Sequence, residues 1–312
     1  MKQLATIERA LLIGHIISMA FGLAGLLIVL PNAEIITSLS VFGQKAFQVS
    51  MAGGGVVYMV LGTAAVALYA YRTLGLGTWL GFMLPAVGIS LCSELLGTST
   101  GFPFGHYRYL NGLGYKIAGL VPFTIPLSWF YLGCCAYLIA RVGLESRLNL
   151  PRWVQLGGAI VLGSLLLTSW DFVLDPAMSQ ADVPFWVWEQ AGPFFGMPYQ
   201  NFVGWFGTGL VFMTVATLLW PKHKLNLSRQ QLRLPLAIYV SNFVFSMVMS
   251  LGSGFVVPVL LGLCIGAGPA IALYLLIPSS EAQVAKTLEA TLQTTETVTA
   301  TQPTAIAANI AE

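Results

Sequence analysis

Charge is what this chain has least of: Asp, Glu, Lys and Arg make up 8% of its 312 residues, against about 25% in soluble domains. That scarcity excludes a water-soluble globular domain, as do 56% hydrophobic residues and a mean hydropathy of +0.79. Histidine is scarce too. His15, His106 and His223 are isolated from one another and cannot build the histidine-rich boxes of a membrane di-iron hydroxylase or desaturase. The four cysteines, Cys92, Cys134, Cys135 and Cys264, lack metal-ligand spacing and read as small apolar packing residues. No metal ligand set is expected. The chain also has no Gly-x-Gly-x-x-Gly dinucleotide turn and no Gly-x-x-x-x-Gly-Lys phosphate loop. A net charge of +2 gives no electrostatic footprint for nucleic acid.

What the chain has in abundance is apolar runs of membrane length. About 20 helical residues cross the roughly 30 Å of bilayer hydrocarbon, and eight such runs are read at 10–30, 52–71, 74–93, 117–140, 154–174, 203–220, 235–251 and 256–277. The first follows Lys2 and Arg9 as a signal peptide would, but it exceeds the usual 7–15 apolar residues and is read as an anchored helix. The expected fold is all-α, a polytopic helix bundle of about eight spans occupying residues 1–278, in the cell inner membrane. Residues 279–312, rich in Thr, Ala, Gln and Glu, are expected to form a disordered cytoplasmic tail. Cytoplasmic segments carry the Lys and Arg excess. Placing both termini in the cytoplasm leaves only Lys45, Arg108 and Lys116 of the basic residues outside.

Two outside loops are unusually long, at 94–116 and 175–202. The first opens on Glu94 and contains His106, Tyr107, Arg108 and Tyr109. The second contains Asp175, Asp182, Trp186, Trp188, Glu189 and Asn201, and carries no Lys or Arg. Glu94 ends the third span, Asp171 lies near the outer end of the fifth, and Asp175 follows it by four residues. The topology therefore brings three carboxyls to one membrane face, with Asp171 and Asp175 on one side of any continuous helix. Acids at membrane depth are functional candidates by default. A carboxyl kept protonated in an apolar surround is a general acid. The bland alternative pairs Glu94 with Arg108 or Lys116 and leaves the aspartates as backbone caps. For Trp186, Trp188, Tyr199 and Trp205 the bland alternative is anchoring at the membrane interface. His106 is an acid, a base or a plain loop residue. His15 reads as a link between helices, and His223 as solvated.

The run Glu94-Leu-Leu-Gly97-Thr-x-Thr-Gly101-x-Pro103-Phe104-Gly105-x-Tyr107-x-Tyr109 resembles CruF-type carotenoid hydratases. The resemblance continues through Trp170-Asp171-x-x-x-Asp175-Pro176, Trp186-x-Trp188 and Gly192-x-x-x-Gly196-x-Pro198-x-x-Asn201-Phe202-x-Gly204-Trp205. It implies a hydro-lyase, a carotenoid 1′,2′-hydratase, that adds water to the terminal double bond of an acyclic end group and leaves a tertiary alcohol. Implied substrates are monocyclic carotenes of the γ-carotene kind on the route to myxol glycosides, or longer relatives on the route to bacterioruberin. They lie within the bilayer, and a downstream glycosyltransferase is an implied partner. No cofactor is implied.

Such a reaction needs a proton donor, a stabilised tertiary cation and a positioned water. Asp171, Asp175 and Glu94 are the candidate donors, with His106 as a further acid or base. Tyr107, Arg108, Tyr109, Trp129, Trp170, Trp186, Trp188, Asn201 and Trp205 are the candidate substrate contacts. Two other functions fit the same residues: a cofactor-free cyclase acting through the same cation, and a non-enzymatic membrane transporter or lipid-binding scaffold.

Overall fold

The structure, a computed structural model, describes residues 2–147, 150–181, 183–279 and 281. The expected tail thus lies almost wholly outside the described residues, as does Asp182. Among the described residues, ten α-helices and four short strands follow one another as α1 (Lys2–Ala24), α2 (Ala33–Ser38), α3 (Val41–Leu74), α4 (Leu76–Thr100), β1 (Tyr107–Tyr109), β2 (Lys116–Ile117), β3 (Val121–Pro122), α5 (Thr124–Arg147), α6 (Arg152–Gln180), β4 (Trp186–Trp188), α7 (Tyr199–Leu219), α8 (Arg233–Gly252), α9 (Val256–Gly262) and α10 (Gly268–Leu276). Helix α1 continues as a π-helical turn over Gly25–Val29, and a second such turn over Leu263–Ala267 joins α9 to α10. Eight helical stretches among the described residues are long and apolar enough to cross a membrane. The chain is an integral membrane protein.

The eight expected spans are all present, but several edges move, and each shift has a local cause. Pro122 lacks an N–H and disfavours helix at the residue before it. Residues 116–122 accordingly form the β2–β3 hairpin, and α5 starts at Thr124 with Pro126 in its first turn. Helix α4 runs past Glu94 to Thr100, where Gly101 adopts φ 81° and its N–H bonds Gly97 O at 2.8 Å, a left-handed helix stop that suits glycine. Helix α6 does not end before Asp175 as expected. It continues through Pro176 to Gln180, so Asp171 and Asp175 lie on one unbroken helix.

Helix α5 is the hub. It is mostly apolar around its circumference and almost wholly buried, as suits a helix surrounded by other helices, and α3, α4, α6, α8 and α10 pack around it. His15, in α1, is buried. Its Nδ1 lies 2.7 Å from Tyr58 O, which can only accept, so Nδ1 carries the proton. Nε2 then accepts from Asn242 Nδ2 at 2.9 Å. This joins α1 to α3 and α8, as the helix-link reading of His15 expects.

At one end of the bundle, fully buried Arg141 bonds Glu145 Oε1 at 2.8 Å. Arg152 reaches the same oxygen at 2.6 Å, while Glu145 Oε2 accepts Leu225 N–H at 2.9 Å. This pairs buried charge with its partners. At the opposite end the two long loops meet: β1 and β4 pair antiparallel, with Tyr107 opposite Trp188, Arg108 opposite Val187 and Tyr109 opposite Trp186. These segments were expected as irregular loops. Instead they form a small ladder over the mouth of the bundle.

Candidate active site

The ladder sorts its side chains by the two-residue alternation of a strand. Tyr107 and Tyr109 share the inward face with Trp186 and Trp188. Arg108 falls on the other face, where it pairs with Glu189 at 3.1 Å; their side chains are 61% and 51% exposed. His106, two residues before Arg108, is also exposed, its backbone N–H held by Gln190 Oε1 at 3.2 Å. Arg108 and His106 therefore do not join the site, contrary to expectation. Glu94 pairs with neither Arg108 nor Lys116; Lys116 Nζ instead donates to Tyr109 O at 2.6 Å.

Below the ladder lies a chamber with about 50 Å³ of free space, whose walls include Glu94, Asp171 and Asp175. These carboxyls are 2%, 3% and 2% exposed, and no Lys, Arg or His is among the lining residues. The distant acids of α4 and α6 thus converge, as expected. Of the remaining candidates, Tyr107, Tyr109, Trp170, Trp186, Trp188, Asn201 and Trp205 all line the chamber. Trp129 stands just behind the wall, stacked on Trp205 with ring centres 3.9 Å apart.

Each carboxyl has its own partners. Glu94 Oε2 receives the Tyr107 hydroxyl and, at 2.9 Å, the Tyr109 hydroxyl. Glu94 Oε1 receives Trp129 Nε1 at 3.0 Å. Burial first, and the neighbouring Glu94 second, hold both phenols well above the usual tyrosine range, so both remain donors. Asp175 Oδ1 receives Trp186 Nε1, and Oδ2 receives Trp188 Nε1 at 2.9 Å. Indole N–H groups can only donate. Asp171 differs. Its Oδ2 receives Asn201 Nδ2 at 2.7 Å, and no donor among the described residues occupies its Oδ1.

Phe104 closes one side of the chamber, and two glycines make room for it. A Cβ on Gly97 of α4 would come within 2.7 Å of its ring, and one on Gly204 of α7 within 2.5 Å. Sequence reasoning passed over Phe104 as a wall residue, although it stands within the Glu94–Tyr109 motif. Tyr58, Leu113 and Met178 also line the chamber and carry no sequence signal. Gly97-Thr98-Ser99-Thr100-Gly101 literally matches the Gly-x-Ser-x-Gly of hydrolase nucleophile elbows. It is instead the last turn of α4, with Ser99 Oγ bonded to Leu95 O at 2.6 Å. The strand-to-helix elbow is absent there.

Residues 54–269, spanning the chamber walls from α3 to the last span, match the family of carotenoid biosynthesis proteins. The chain belongs to that family. A bisanhydrobacterioruberin hydratase of Haloarcula japonica is 35% identical over 140 residues, a match spanning 44% of this chain and 44% of that relative's length. No solved structure matches the chain. Among the described residues no group of three or more His, Cys, Asp or Glu is arranged to hold a metal ion.

Proposed function

We propose that this carotenoid biosynthesis protein is a hydratase, adding water across the terminal double bond of an acyclic, γ-carotene-like end group to give a tertiary alcohol. The observation that carries the reading is the division of labour among three buried carboxyls in an aromatic chamber. Asp171 Oδ1 is the position for an acidic proton, because Asn201 fixes the other oxygen and leaves this one open. Its proton passes to the less substituted alkene carbon, and the π electrons form the new C–H bond. The other carbon is left as a tertiary cation. A water oxygen attacks that carbon and sheds one proton to a chamber carboxylate. Exchange among the carboxyls and water returns a proton to Asp171. Atoms and charge balance with water as the only co-substrate.

Magnitudes indicate what holds the cation. A carboxylate about 4 Å away contributes about 4 kcal/mol at an effective dielectric near 20, while an aromatic face contributes about 0.5–2 kcal/mol. Glu94 and Asp175, held as acceptors by donors on both oxygens, therefore carry the larger share. Trp170 and Trp205 add to it and keep bulk water away. The hydratase name of the Haloarcula japonica relative supports the same chemistry. Asp171→Asn keeps the side-chain shape but removes the proton donor. Turnover, measured as hydroxylated pigment formed in membranes supplied with an acyclic carotene, is expected to fall by about 10²–10⁴-fold. Wild-type turnover by this variant would overturn the assignment.

A further inference from the structure

The chamber's free space of about 50 Å³ is too small for a long polyene. A second hollow, with about 40 Å³ of free space, adjoins it, lined by Ser18 and Gly22 of α1, Leu26 of the π-helical turn that follows, and Ser50, Met51 and Gly54 of α3. The two spaces share Tyr58, Leu113 and Met178 as walls, so they lie side by side with only these side chains between them. The hollow's lining holds no charged residue, and its α1 and α3 surfaces are only half-buried. Small side chains keep the cleft open: nothing lies within 4 Å of where a Cβ would stand on Gly22 or Gly54. At its edge α1 loosens into the π-helical turn at Gly25–Val29. The backbone of Tyr58, at the junction, is pinned by His15. A third hollow, beside Gln180 and Phe255, shares no lining residue with the carboxyl chamber.

We infer that the α1–α3 cleft is the binding groove for the polyene chain of the substrate, which lies there sideways from the lipid while its end group sits among the carboxyls. This rests on the proposed reaction for the identity of the occupant. The occupant follows from the wall shared with the chamber, from an uncharged and mostly apolar lining and from the carotenoid family to which the chain belongs. Specificity then has two parts. The chamber selects an unringed end, and the cleft measures the chain behind it.

The test uses Gly54→Leu and Gly22→Leu, which fill open space and replace a poor helix former with a good one, beside Gly77→Leu, an exposed control outside both hollows. Two readouts are taken. The first is hydration of a full-length acyclic carotene against a short isoprenoid bearing the same end group. The second is carotene retained through purification by the Asp171→Asn chain with and without Gly54→Leu. The cleft substitutions are expected to raise KM for the long substrate by about tenfold more than for the short one, equivalent to about 1.4 kcal/mol. They are also expected to strip the retained pigment, while Gly77→Leu does neither. Equal effects on long and short substrates, with pigment retention unchanged, would overturn the inference. If wild type makes no hydroxylated product but Gly54→Leu still sheds pigment, the reaction fails and the groove stands.

Discussion

The three chamber carboxyls differ in their hydrogen-bond partners more than in their burial, and the proposed roles rest on those partners. Removing one donor leaves a buried oxygen without a partner, a loss of about 1–3 kcal/mol. Trp188→Phe, which takes the indole N–H from Asp175 Oδ2, is therefore expected to lower the melting temperature in detergent and to reduce turnover. An unchanged melting temperature would mean that the bond is not formed in the membrane. The opposite is expected at His106 and Arg108. Both face away from the chamber, and an exposed ion pair such as Arg108–Glu189 contributes about 0–1 kcal/mol. His106→Ala and Arg108→Ala should each leave turnover of membrane-embedded protein within about twofold, consistent with surface changes of about 0.5 kcal/mol. The residue types were legible in the sequence, but the facing was not. Tyr-x-Tyr and Trp-x-Trp spacing does state a two-residue period, and reading it as paired strands would have put Arg108 outside.

Among the elements, the spans were the most legible, because twenty-residue apolar runs leave little ambiguity in a chain with so few charges. Their ends were less so. Helix α6 carries Pro176 without stopping, and Ser179 Oγ bonds Asp175 O at 2.7 Å in its last turns. That continuity keeps Asp171 and Asp175 on one face. The pairing of β1 with β4 joins segments some eighty residues apart, which no local pattern specifies. Interfacial anchoring suits Tyr199, which is exposed, but not Trp186, Trp188 or Trp205, whose contacts lie within the chamber wall. The clamp on Phe104 sets a further test. Gly204→Ala would place a methyl 2.5 Å from the Phe104 ring and 2.9 Å from Pro103 O, and overpacking of this kind costs about 1–3 kcal/mol. Lower thermal stability with a raised KM is expected in detergent-solubilised enzyme. Wild-type values for both would show that Phe104 moves freely and does not wall the chamber.

For the whole molecule, the end with the carboxyl chamber and the end with the buried arginine are separate. The carboxyl chamber and its ladder cap one end of the bundle, and the Arg141–Glu145–Arg152 cluster ties the loops at the other. In the proposed reaction, a bundle of this kind would bring an apolar substrate to an acid in the plane of the membrane, with water supplied from the capped end. The central claim is that the oxygen of the new hydroxyl comes from water through a cation made by Asp171. It is tested most directly by growing cells that hold the protein and an acyclic carotene in heavy-oxygen water, then weighing the pigment. The account predicts a product heavier than the substrate by one labelled water, absent with Asp171→Asn. A product of unchanged mass with a closed ring, or no new pigment from protein shown to reach the membrane, would contradict it.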